Sequence, residues 1–246
     1  MRHSGNPLLG ESRLRDMAQS IGATETMTFN GALNKTAILF FILLLGAAWT
    51  WADIGTTTAG AFSGKMIVGL IVGLILALVT IFKVAWAPYT APAYAFFQGM
   101  FLGGLSAYFE GMFPGIVLPA VALTFCILIG MLATYRAGLI PVTQKFRIGV
   151  ISATGGIALF YLFSIVLGMF GIQIPFLFEG GIFGIGFSLF VIVIATLNLV
   201  IDFDMIDRMS DAGMPRQMEW YGGFALMVTL IWLYIEILRL LAKTRD

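Results

Sequence analysis

Acidic side chains gather at one place in this chain of 246 residues, the stretch IDFDMIDRMSDAGMPRQMEWYGG. There Asp202, Asp204, Asp207, Asp211 and Glu219 supply five of thirteen carboxylates. Asn198 and Asp202, four apart, share a helical face, and Asp204, Asp207 and Asp211 form an i, i+3, i+7 stripe on which Arg208 can pair with Asp204. A solvated helix end explains Asp207 and Asp211. Asp202 and Asp204 differ, because the charge-free interval after Glu179 runs up to Asp202 and Asn198 lies deeper still. A carboxylate inside an apolar segment is a candidate for lining a polar path or exchanging a proton. Glu236 is a second candidate, embedded in LIWLYIEILRLL with Arg239 one turn away. Two readings stand there: an ion pair that snorkels toward the interface, or a buried acid whose proton or cation exchange is set by a second charged group.

The elements that hold these residues follow from composition. With 59% hydrophobic and 11% charged residues, the chain departs from the roughly 25% charge of soluble domains. The charged residues leave seven long intervals between them, each near the ~20 apolar residues of a membrane-spanning helix. The predicted helix cores are Thr36 to Ala52, Met66 to Phe82, Ala91 to Phe109, Ile116 to Thr134, Ile148 to Phe170, Ile182 to Ile201 and Trp220 to Leu241. The runs lack the two-residue alternation of barrel strands. An all-α integral membrane protein of seven transmembrane helices is therefore expected, with residues 1–35 as a cytoplasmic tail, loosely ordered through Asn34, and residues 36–246 as the membrane domain. The first run reads as a retained helix and not as a signal peptide.

Lys and Arg set the expected orientation. A cytoplasmic N-terminus collects ten of the fourteen, leaving Lys65, Arg239, Lys243 and Arg245 on the other side. Gly69 and Gly73, and Gly99 and Gly103, are small-xxx-small pairs that suit close helix packing, with a gating hinge as the alternative. Pro88 and Pro92 are placed in the connection into the third helix, and the five tryptophans mostly near span ends as interfacial anchors.

Several functions fall away on inventory. His3 is the only histidine and Cys126 the only cysteine, too few for a His/Cys metal cluster or a His-dependent triad in one chain. A net charge of +1 argues against a nucleic-acid partner. The Gly-x-Gly-Asp motif of intramembrane aspartyl proteases is absent, and Lys243 lies too near the end of its helix for a retinal lysine. No enzyme and no cofactor are expected.

The segment LYIEILRLL and the pair Phe203-Asp204 resemble the last-helix and helix-six signatures of the Bax inhibitor-1-like, or transmembrane Bax inhibitor motif, family. Longer stretches resemble its bacterial branch: MTFNGALNKTAILF, APYTAPAYAFFQGMFLGGLSAYFE, LNLVIDFDMID and MEWYGGFALMVTLIWLYIEILRLL. Together they cover Met27 to Lys243. The resemblance implies two three-helix layers around a central last helix and a pH-sensitive calcium leak controlled by two carboxylates, in a bacterial inner membrane. The first carboxylate is Asp202 or Asp204. The second is Glu236, where the family has Asp, or Glu219, which lies nearer in depth if the chain turns at Ala212. Calcium would bind transiently at Asp202, Asp204 and Glu236, with Asn198, Arg208 and Arg239 in support. As an alternative, some bacterial relatives are thought to modulate a membrane-anchored quality-control protease, which would call for a recognition surface on the tail Met1 to Lys35.

Overall fold

The computed structural model describes residues 25–54, 64–171 and 181–245. Within them the chain forms seven long helices: α1 (Phe29–Ile54), α2 (Gly64–Phe82), α3 (Ala87–Met112), α4 (Val117–Arg136), α5 (Gln144–Met169), α6 (Ile182–Asp211) and α7 (Met218–Lys243). A single 3-10 turn, Val84–Trp86, links α2 to α3. Six of the seven are long and apolar enough to cross a membrane. The exception is α3, whose 26 residues include Thr90, Gln98, Ser106, Glu110 and several glycines.

The most deeply buried span is α7, which packs against α1, α3, α4 and α6. On one side α3 lies between α1 and α2, and on the other α5 leans mainly on α6. The core is accordingly built around the apolar residues of α7, among them Leu226, Met227, Leu230, Leu233 and Leu238. Outward-facing Leu, Ile and Phe side chains cover the rest of the helix surfaces, as lipid contact requires.

Glycine decides how closely the first three helices approach. A Cβ on Gly99 would lie 2.1 Å from the Leu43 carbonyl oxygen, one on Gly103 2.3 Å from that of Ala47, and one on Gly46 2.2 Å from that of Phe96. In the same way Gly69 faces the Phe97 carbonyl at 2.6 Å. The small-residue pairs are thus packing surfaces, and the hinge alternative has no support from their surroundings.

Two local expectations are corrected, the start of the first helix and the place of Pro92, and two are sharpened. The helix predicted to start at Thr36 starts at Phe29, and the segment before it is anchored: Met27 N–H donates to Met214 O at 2.8 Å and Arg216 N–H to Glu25 O at 3.1 Å. Residues 1–24 lie outside the described residues. At the other end of the chain, α6 continues ten residues past Ile201, because its acid-rich stretch finds partners instead of fraying. Pro88 starts α3, whereas Pro92 sits inside its second turn. Trp232 lies mid-helix, packed on the cluster Ile157, Val191 and Ile194, while Trp49, Trp51 and Trp86 are exposed near helix ends.

The glycine packing is testable by thermal unfolding in detergent. Gly99→Ala should destabilise by about 1–3 kcal/mol, the usual range for overpacking. Gly130→Ala, where nothing lies within 4 Å of an added Cβ, should be neutral or slightly stabilising through helix propensity. Equal responses would show that the α1–α3 approach is not limited by the missing Cβ.

Candidate functional site

The turn between α6 and α7 sets the register of the two helices that carry the candidate carboxylates. Gly213, at φ 66°, closes α6 in a left-handed conformation, with Met214 N–H returning to Met209 O at 3.1 Å. The chain then runs to Gln217 before α7 begins, so the turn is longer than one centred at Ala212. The consequence is that Asp202 lies level with Thr229, and not with the neighbourhood of Glu219. Thr229 donates its hydroxyl proton to Asp202 Oδ2 at 2.5 Å. Asp202 is partly buried, and no lysine or arginine among the described residues forms an ion pair with it.

Asp204 is two residues on, about 200° around the helix, and meets a different environment. Its Oδ2 is paired with Arg147 at the start of α5 and with Arg208 Nε at 2.9 Å. Beside it Asp207 accepts from the Tyr135 hydroxyl at 3.1 Å. Asp204 and Asp207 line a polar recess of about 360 Å³ under the α4–α5 loop. Deeper on α6, Asn198 donates to Thr154 Oγ1 of α5 at 2.7 Å. Asp211 is exposed, as a solvated helix end should be.

Glu219 and Glu236 occupy the two ends of α7. Glu219 Oε1 accepts from the Thr28 backbone N–H at 3.1 Å and the Thr28 hydroxyl at 3.3 Å, while Thr28 Oγ1 accepts from Gly31 N–H at 2.9 Å. It therefore ties α7 to the first turn of α1, where its charge also suits the helix N-terminus. A Cβ at Gly31 would collide with this carboxylate at 1.9 Å. Glu236 lies seven residues beyond Thr229, about 10 Å further along the helix. Its Oε1 accepts from Tyr161 OH at 2.8 Å and Arg239 Nη1 at 3.2 Å, and Arg239 also donates to the Tyr161 oxygen at 2.8 Å. Its Oε2 is buried without a partner. Two turns beyond Glu236, Lys243 Nζ donates to Gly184 O and Ser188 Oγ, both at 3.1 Å.

The four carboxylates thus sit in four separate settings, on Thr229, on two arginines, on the α1 terminus and on a Tyr–Arg pair. Arg208 and Arg239 hold the carboxylates expected of them, and Asn198 points to α5. Sequence reasoning did not find Arg147, Thr154, Tyr161 or Thr229. Arg147 carried a signal, a charge just ahead of an apolar run, but nothing in the linear pattern aims it at Asp204. The other three are ordinary polar residues within spans.

Buried carboxylates distributed along the last two helices of an all-helical bundle define a multi-pass membrane protein with an ionisable interior. Over residues 6–246 the chain matches the Bax inhibitor 1 like family, and it belongs to that family. No curated protein matches it at a significant level.

The double ion pair makes a stability prediction. Asp204→Asn removes the charge both arginines share and should destabilise most, up to the ~3–5 kcal/mol typical of breaking a buried pair from one side. Arg147→Gln should cost less, because Arg208 remains, and Arg208→Gln least, since Arg208 is the more exposed of the two cations. Denaturant unfolding of the three variants ranks them. Arg208→Gln as the most damaging change would refute the arrangement.

Proposed function

We propose that the protein is a pH-sensitive cation leak, with calcium as the favoured ion, whose closed state is held by Asp204. The observation that carries the reading is a stretch of polar side chains that runs into the bundle along α6: Asp207 and Asp204 on one face, beside Tyr135 and Arg147, and Asp202 and Asn198 on the opposite face, beside Thr229 and Thr154. From Asp207 to Asn198 it reaches about 14 Å along the helix, close to half of a ~30 Å hydrocarbon core. Beyond it, Ile157, Val191 and Ile194 pack together on α5 and α6, and past them come the polar groups of Glu236, Tyr161, Arg239, Lys243 and Ser188. Two polar regions parted by an apolar septum are what a closed, dewetted conduction path requires.

Seven crossings fit this reading. The start of α1, the α4–α5 loop and the α6–α7 turn lie at one end, joined by Arg136 to Asn30 and Met27 to Met214. At the opposite end Arg245 at the close of α7 donates to Pro114 O in the α3–α4 loop at 2.8 Å. Alternation from α1 to α4 then needs α3 to cross as well, giving three helices on each side of α7. The Lys and Arg count favours a cytoplasmic position for the first end, and the resemblance to the family's bacterial branch supports a bacterial inner membrane. There the Asp204 recess faces the cytoplasm.

Acid acts on Asp202. The closed arrangement rests on Asp204, whose carboxylate holds the guanidinium groups of Arg147 and Arg208 together and so keeps the start of α5 on α6. Asp202, with no ion-paired lysine or arginine among the described residues, offers a hard oxygen ligand, with the Thr229 hydroxyl beside it, to a cation in transit. A proton competes with that cation: ionised Asp202 retains the ion in the path, and protonated Asp202 lets it pass. Glu236, with its unpartnered oxygen, serves as the second carboxylate beyond the septum. The alternative, modulation of a membrane-anchored protease through the tail, draws on residues that lie largely outside the described ones.

Calcium uptake into proteoliposomes tests the reading. Wild-type flux should rise sigmoidally as pH falls from about 8 to about 5, the range over which a buried acid can be tuned. Asp202→Asn should abolish the pH dependence, Asp204→Asn should raise flux at every pH while leaving that dependence in place, and Asp211→Asn should change nothing. Flat wild-type flux in folded protein would remove the carboxylate switch.

The septum makes a separate prediction: Ile194→Ala, which thins it, should raise flux at pH 8 while preserving the acid response. No change in flux at either pH would place the barrier elsewhere.

A further inference from the structure

A second opening in the bundle has nothing to do with its charges. Between α1 and α4 lies an apolar slot of about 360 Å³. Its back wall is the central helix, through Leu230, Ile231 and Tyr234, all buried from solvent. Its floor is the ring contact of Phe40 with Phe125, centroids 5.0 Å apart. Leu44, Ala48 and Trp51 of α1, all exposed, line its mouth, so it opens sideways from the bundle.

The hydroxyls that line the slot are bonded within the protein. The Ser106 and Tyr234 hydroxyls bond each other at 2.6 Å, and Thr124 Oγ1 donates to Ala120 O at 2.8 Å. Apolar cavities of this kind stay dry, yet an empty one forfeits the dispersion contacts of every side chain lining it. The matter at its mouth is the hydrocarbon that bathes Leu44 and the neighbouring Phe41.

We propose that this slot is a lipid site that takes one acyl chain of a phospholipid from the leaflet on the side of the α3–α4 loop. Length supports it: from Phe40 to Trp51 the slot follows eleven residues of α1, about 16 Å, and one leaflet contributes about 15 Å of hydrocarbon. Cross-section supports it too. A helix of a partner protein, ~10 Å across over the same length, would need roughly 1,200 Å³, several times the space available. The volume instead holds about twelve groups the size of water at ~30 Å³ each, and a methylene is about as large. The bound chain completes the packing of α7 against α1 and α4 without touching Asp202 or Glu236, so this site stands independently of the leak.

The test uses the full chain in phosphatidylcholine vesicles containing a small fraction of phosphatidylcholine with a diazirine in one acyl chain. After illumination, adduct positions are mapped by mass spectrometry. Adducts on slot residues Ala48, Val121 and Tyr234 should exceed those on Leu70, Ile71 and Leu74, exposed on α2, by about fivefold, a preference of about 1 kcal/mol. Ala48→Trp, which fills the mouth, should abolish that excess and leave α2 labelling unchanged, with circular dichroism verifying the fold. Val121→Phe, which fills the slot from α4, serves if Ala48→Trp does not fold. Even labelling of slot and α2, or an excess that survives both substitutions, overturns the proposal. Displacement of the probe by free oleate but not by excess phosphatidylcholine overturns it as well, by assigning the slot to a fatty acid.

Discussion

A charge carried into this bundle has to bring its counter-group with it, and most of the architecture around α7 follows from that constraint. Lipid supplies no hydrogen bonds, so every buried ionic group must be answered by protein. Asp204 has Arg147 and Arg208, Glu236 has Arg239 and Tyr161, Lys243 has Gly184 O and Ser188, and Glu219 has the first turn of α1. These contacts join α6 to α5, α7 to α5, α7 to α6 and α7 to α1. The ionic groups are thereby the points at which helices with little other specificity are held in register. Asp202 departs from the pattern, since a threonine hydroxyl is a weaker answer to a carboxylate than a guanidinium.

Close packing supplies what the charges cannot. Between apolar helices in lipid no hydrophobic gradient draws one surface to another, and association depends on contact. Gly46, Gly99 and Gly103 let α1 and α3 meet backbone to backbone, which buries α3 although it is the least apolar of the seven helices. Its polar residues are sheltered by neighbours: Thr90 Oγ1 accepts from Thr80 Oγ1 at 2.7 Å, and Ser106 meets Tyr234 at 2.6 Å. The Thr90 and Ser106 hydroxyls thus face protein within the bundle.

Much of this fold was legible in the sequence, for a physical reason. Charge is costly in lipid, so uncharged intervals mark helices, and the seven expected cores fall within the seven observed helices or, at Ile116 and Phe170, one residue beyond their ends. The boundaries failed where a charged or polar residue found a partner. Lys35 and Asn34 did not end α1, and the acids after Ile201 did not end α6. The site was legible in part. Asp202, Asp204, Glu219 and Glu236 stood out as acids beside or within apolar runs, and Arg208 and Arg239 as their helical neighbours at i+4 and i+3. Partners on other helices were not legible, because Arg147, Thr154, Tyr161 and Thr229 are assigned by helix rotation and stagger. A longer α6–α7 turn moves the partner of Asp202 from the Gly222 region to Thr229, one seven-residue step that no local pattern encodes.

The same accounting bears on the four cations that the proposed orientation leaves on the outer side. Charge counting treats each lysine or arginine as a free solvated group. In this fold Arg239 is committed to Glu236 and Tyr161, Lys243 to the first turns of α6, and Arg245 to the α3–α4 loop. Lys65 lies over the Trp49 ring, 4.5 Å from its centroid. Each is used within the fold, three of them to fasten the C-terminal part of α7 to its neighbours. A cluster that opposes the orientation rule when read as composition becomes, when read as contacts, the set of interactions that holds the C-terminal end of the central helix.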